Sequence, residues 1–167
     1  MKILVASTPA MGHLNPLLAI TQILAAEGHE IALVTGTAFR TRVEANGTRF
    51  FPLPEGADFD PNDVFSLVPE LRAIPPGLEW LRTACERILV DAVPAQHQGL
   101  LEALRQFPAD IIVADDMLFG VLPLLLGPRS HRPPVVLCGT SFLHWPREDG
   151  APHFLGLPPA MSNAERD

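Results

Sequence analysis

Lys2-Ile3-Leu4-Val5-Ala6, followed directly by Ser7-Thr8-Pro9-Ala10-Met11-Gly12-His13-Leu14-Asn15-Pro16, is the stretch that decides the fold. Its first part is a short apolar run with β-branched members, the pattern of a strand buried on both faces. Its second part is rich in turn formers. Asn15 before Pro16 matches a helix N-cap followed by proline at the first helical position. A helix is therefore expected over 16–27, with Leu17, Ile20 and Leu24 on one face and Gly28 ending it. Strand, loop and helix in that order open a parallel α/β sheet.

The same alternation continues outward. Residues 31–35 read as a second strand, Phe39 and Val43 mark a helix closing at Asn46-Gly47, and 49–53 give a third strand. The stretch 54–76 is irregular and long enough to be a functional excursion. Leu78, Leu81, Cys85, Ile88 and Leu89 keep helical spacing, and Leu100, Leu101 and Leu104 suggest another helix after Pro94. Residues 110–114 read as the fourth strand, 117–126 as an apolar helix and 135–138 as the fifth strand. The expected fold class is α/β, a Rossmann-like doubly wound parallel sheet in the order 3-2-1-4-5 with right-handed crossovers.

Composition limits what such a fold can be doing. The chain has 167 residues, 47% hydrophobic and 19% charged, which suits a single packed domain. Its net charge of −7 leaves no basic patch for phosphates, so no nucleic-acid partner is expected. Cys85 and Cys138 each lie in an apolar segment and read as buried free thiols in a reducing cytosol, with a disulfide as the alternative. The run 3–6 is too short for a signal-peptide core, and 117–126 is broken by Gly120 and Pro123. A soluble, cytoplasmic protein that does not span a membrane is expected, with no indication of its oligomeric state.

In a doubly wound sheet, ligands bind beyond the carboxyl ends of the strands where the strand order reverses. The first and fourth strands are neighbours there, ~4.8 Å apart. His13 leaves the first strand, and Asp115 and Asp116 end the fourth. A carboxylate on one imidazole nitrogen fixes the tautomer and leaves the other nitrogen to accept a proton. Gly12 would let a ligand approach the backbone closely, with Met11 beside it. A plain loop histidine and strand-end aspartates met by chance give the same pattern, and from placement alone the two readings stand level.

Other patterns carry less. Asp58, Asp60 and Asp63 lack the glycine and the final ligand of a calcium loop, and read as a solvated turn. Asp115-Asp116 has the wrong spacing for a metal-binding carboxylate motif. His131, His144 and His153 show no zinc spacing. No Gly-x-Gly-x-x-Gly follows the first strand, which weakens a dinucleotide-binding oxidoreductase reading.

The Gly12-His13-Leu14-Asn15-Pro16 loop, in register with Leu17-Leu18-Ala19, Glu27-Gly28-His29-Glu30-Ile31, Thr35-Gly36 and 42–50, resembles the N-terminal domain of the GT-B nucleotide-sugar glycosyltransferases. The likeness is to bacterial macrolide- and antibiotic-modifying members. Residues 110–115 resemble the family's fourth strand ending in aspartate, and Leu157-Pro158-Pro159 the loop before its interdomain region. The resemblance implies an inverting, metal-independent sugar transfer, of hexosyltransferase type, from a UDP- or TDP-linked sugar to an acceptor hydroxyl. His13 would then be the base and Asp115 its partner, with Asp116 competing for the second role. Thr140 resembles a position that touches the donor sugar, a plain loop threonine being the alternative. The co-substrate is the nucleotide-sugar, and no resident cofactor or metal is implied.

The acceptor would be a hydrophobic small molecule. Phe65, Leu67, Trp80, Met117, Phe119, Phe142 and Trp145 are candidates for its pocket, though each alone reads first as core. The family's second, nucleotide-binding domain has no counterpart in 1–167, so this chain is expected to be the acceptor-binding half and to be inactive alone. A fragment, a stand-alone protein and a split enzyme all fit that expectation. A non-catalytic acceptor-binding or accessory domain is the other function considered.

Overall fold

In the computed structural model, which describes residues 1–140, the strands are β1 (Lys2–Ala6), β2 (Glu30–Thr35), β3 (Arg49–Pro52), β4 (Ile111–Asp115) and β5 (Val135–Cys138). Every pairing is parallel and the order is β3-β2-β1-β4-β5, the common doubly wound order expected from the sequence. The helices are α1 (Met11–Ala26), α2 (Arg40–Glu44), α3 (Val64–Leu67), α4 (Leu78–Cys85), α5 (Val93–Gln106) and α6 (Leu122–Leu126). No helix among the described residues is long and apolar enough to cross a membrane.

The central strands are apolar throughout because successive side chains feed two separate cores. Ile3 and Val5 join Ile31, Leu33 and Val113 on one face, under Leu14, Leu17 and Leu18 of α1 and Val43 of α2. Leu4 and Ala6 join Ala32, Val34, Ile112 and Ala114 on the other, under Leu100 and Ala103 of α5 and Leu118. Leu4, Leu14, Leu17, Leu33 and Leu100 have no exposed surface. Each such leucine stabilises the sheet by ~1.5–3 kcal/mol relative to exposure. This is the doubly wound arrangement expected from the sequence.

Several local expectations are corrected. The first helix begins at Met11, a turn and more before Pro16, which lies inside it. Ala10 is extended, and its carbonyl accepts the N–H groups of His13 (3.1 Å) and Leu14 (2.9 Å), starting the helix without a side-chain cap. The bond lost at Pro16 would have ended on the Gly12 carbonyl. Gly12 and Pro16 are both exposed, so water can take the place of that partner. His13 is thereby moved out of a loop and into the first turn of a 16-residue helix.

The second correction concerns 54–76. That excursion carries α3 and a 3-10 turn, Pro69–Ala73, which bury Val68 and Leu71 against Ala84 of α4. The apolar helix expected over 117–126 is likewise split into a 3-10 turn, Phe119–Val121, and the short α6. The third concerns the thiols. Cys85 is exposed at the end of α4, where its neighbour Ala84 takes the buried position, and Cys138 is half-buried. Both are free.

Gly120 explains the split helix. Its N–H donates to the buried Gln96 Oε1 at 2.7 Å, and a Cβ there would lie 2.2 Å from Gln96 Cβ and 2.7 Å from the His97 backbone nitrogen. Helix α5 and the segment after β4 therefore meet at backbone distance. Gly120→Ala should cost roughly 3 kcal/mol, the upper end for overpacking, since rigid backbone must yield. A urea unfolding midpoint unchanged from wild type would show that contact to be looser than described.

Candidate active site

Ala6 of β1 lies directly opposite Ala114 of β4, so the segments leaving the two strands emerge side by side. Asp115, the last residue of β4, is completely buried. Donors on every side replace the water it has lost. The Thr8 N–H meets Oδ2 at 2.5 Å, while Oδ1 accepts the Met117 N–H at 2.8 Å and the Thr8 hydroxyl at 3.2 Å. A buried carboxylate is stable only with such compensation. Its charge also faces the start of α1, where the helix dipole favours an anion.

His13, the third residue of α1, turns its ring onto this carboxylate. Nδ1 lies 3.2 Å from Asp115 Oδ1, and the side chain remains 23% exposed. The same nitrogen is 2.8 Å from the Thr140 hydroxyl. Thr140 in turn gives its backbone N–H to Asp116 Oδ1 at 3.1 Å, with its hydroxyl 3.2 Å from the same oxygen. The hydrogen bond to Asp115 raises the His13 pKa above 6.5, and the charges of Asp115 and Asp116 add to it; partial burial opposes the rise without reversing it.

One ligand atom from each of His13, Asp115 and Asp116 lies within 4.8 Å of the others, close enough to surround a cation. A cation there would have to displace the proton that joins Nδ1 to its oxygen partners. Cys138, paired with Asp115 across β4 and β5, has its thiol pushed above the ordinary 9.0 by burial and by both aspartates. It is therefore a poor nucleophile at neutral pH.

No family model matches the chain. Over 99% of its length it is 34% identical to 4'-demethylrebeccamycin synthase of Lentzea aerocolonigenes, and over 83% it is 34% identical to UDP-glucosyltransferase B1 of Starmerella bombicola. It superposes on CalG4, the calicheamicin glycosyltransferase, with a TM-score of 0.61 at 27% identity over 81% of the chain. The chain is a relative, in sequence and in fold, of the GT-B glycosyltransferases. It spans 38% and 33% of the two curated relatives, and the superposition covers 31% of CalG4.

Within this domain the expected site residues are distributed unevenly. His13, Asp115, Asp116 and Thr140 meet at the carboxyl ends of β1, β4 and β5. Met11 and Gly12 form the exposed first turn of α1 beside them, with Met11 Sδ 3.7 Å from Arg42 Nη1 and open space where a Gly12 Cβ would point. Met117 contributes its backbone N–H to Asp115 and is half-buried, as is Phe119. Phe65 and Trp80 do not join this group. They pack against the Val68, Leu71 and Ala84 cluster under α3 and α4, as does Leu67. Phe142 and Trp145, like the Leu157-Pro158-Pro159 loop, lie outside the described residues. Thr8 is the member that sequence reasoning missed, and it holds both oxygens of Asp115. Asp58 caps the turn after β2 through the Thr37 N–H (2.8 Å) and hydroxyl (2.7 Å), a structural use for the acidic cluster.

Proposed function

We propose that the chain is the acceptor-side domain of an inverting, metal-independent glycosyltransferase acting on a hydroxyl of an apolar small molecule. The observation carrying this reading is the His13 Nδ1–Asp115 Oδ1 contact at 3.2 Å, with the carboxylate fully buried and held by three further donors. With Nδ1 committed to that carboxylate, Nε2 keeps its lone pair. Nε2 takes the acceptor proton as the acceptor oxygen bonds to the anomeric carbon. The bond from that carbon to the diphosphate oxygen breaks, and the nucleoside diphosphate leaves with the electron pair. A single displacement inverts the anomeric centre. The nucleotide-sugar, UDP- or TDP-linked, is held by a second domain, as the relatives' greater length suggests.

The pH dependence tests this directly. A base must be unprotonated to act, and folding raises the His13 pKa above 6.5. In the presence of a nucleotide-binding half, kcat/KM should therefore fall on the acid side with an apparent pKa above 6.5. Folding favours the protonated ring, so the His13 contribution to stability is present below pH 6.5 and is lost as pH rises through the folded pKa. A rate independent of pH from 5 to 8, or a product of retained anomeric configuration, would sink the mechanism.

A further inference from the structure

We propose that Asp116, acting through the Thr140 hydroxyl, is a positioning residue that joins Asp115 in setting which nitrogen of His13 carries the proton. This rests on the reading of His13 as a base, because only one tautomer leaves Nε2 able to accept.

The Thr140 hydroxyl has a single proton and two neighbours, His13 Nδ1 at 2.8 Å and Asp116 Oδ1 at 3.2 Å. A carboxylate only accepts, whereas a neutral imidazole nitrogen either donates or accepts. The Thr140 backbone N–H is fixed on the same Asp116 oxygen at 3.1 Å, so the threonine is held over that carboxylate at two points. With its proton turned to Asp116, Thr140 Oγ1 offers a lone pair to Nδ1, and Nδ1 must carry the hydrogen. If the hydroxyl turned to Nδ1 instead, the hydrogen would move to Nε2 and the ring could not accept a proton there.

Asp115, which can only accept, favours the same tautomer, but its pull on Nδ1 is shared among several donors. Its Oδ1 already accepts the Met117 N–H at 2.8 Å and the Thr8 hydroxyl at 3.2 Å, and Nδ1 is a third donor at 3.2 Å. Thr140 is the nearer partner, and it is Asp116 that makes it an acceptor. Among the described residues, the charges acting on the ring are those of Asp115 and Asp116, with the Cys138 thiol beside them neutral.

The test reads ring nitrogen chemical shifts of His13 in the chain, above its pKa, with an amide spectrum to confirm folding. In Asp116→Ala the ratio of Nδ1–H to Nε2–H forms should fall by roughly three- to tenfold, the worth of one hydrogen bond changing sides. Thr140→Val should lower the ratio less, since it removes the wrong donor together with the right acceptor. The decisive expectation is that adding Thr140→Val to Asp116→Ala partly restores the ratio, while Thr140→Ser behaves as wild type. If Asp116→Ala does not fold, Asp116→Asn, a weaker acceptor, should cause a smaller fall, and none when Thr140→Val is already in place. A ratio unmoved by the Asp116 variants, or moved equally with and without the Thr140 hydroxyl, overturns the proposal. No sugar transfer enters the measurement, so its failure and the failure of His13 as a base are separately visible.

Discussion

Replacing His13 with alanine should lower sugar transfer to an unactivated hydroxyl by ~10²–10⁴-fold, the usual worth of a positioned base. An alcohol is a poor nucleophile until its proton has somewhere to go, and in the proposed mechanism Nε2 takes it. The substitution should leave the fold nearly intact. The side chain is 23% exposed, and Asp115 keeps its bonds to Thr8 and Met117 when the ring is gone. A stability change within ~1 kcal/mol is therefore expected. The acceptor KM should change little, because the lost interaction belongs to the transition state. An acidic phenol, already ionised in part at neutral pH, should lose much less rate than an aliphatic alcohol. Initial rates for both acceptors, with a nucleotide-binding half present, give the comparison. Wild-type rates with the aliphatic alcohol would remove His13 from the chemistry.

The parts of this fold legible in the sequence are those where burial dictates residue type. Ile3 to Ala6 and Ile112 to Ala114 serve two cores at once, so both runs are apolar and their adjacency follows from the doubly wound order. Asp115 was legible for the same reason, as a carboxylate ending a strand next to the one that leads to His13. The start of α1 was not. Asn15-Pro16 is a sound local cap, but Leu14 is completely buried beside Leu17, and filling that position requires the helix to begin at Met11. Packing outweighed the capping signal and the cost of an internal proline.

Hydroxyl partners were the other loss. Thr8 finds Asp115, and Thr140, singled out in the sequence for a different contact, finds His13, through loops whose course depends on the whole sheet. The large apolar residues misled in the opposite direction. Phe65 and Trp80 have a local cluster to fill, and a side chain of that size goes to the nearest core available.

Asp115 should prove intolerant even of asparagine, which has almost its shape. Both carboxylate oxygens face donors: Thr8 N–H on Oδ2, and Met117 N–H, the Thr8 hydroxyl and His13 Nδ1 on Oδ1. An amide brings one acceptor and one donor. Whichever way it is turned, its NH₂ meets a backbone N–H, from Thr8 or from Met117, that cannot rotate away. Each buried group left unsatisfied costs ~1–3 kcal/mol. Asp115→Asn is thus expected to destabilise by ~3 kcal/mol and Asp115→Ala by a similar amount, read as a shift in the urea midpoint. The chemistry should fail with the fold only partly weakened. Without the hydrogen bond that is the largest cause of its raised pKa, the His13 pKa should move down from its wild-type value, and the acid limb of the rate profile should follow. Transfer should drop by ~10²–10³-fold at the pH optimum, a positioned partner being worth nearly as much as the base it orients. If Asp115→Asn instead matched wild type in midpoint and rate, the buried carboxylate would be neither the anchor of the β1–β4 end nor the partner of His13.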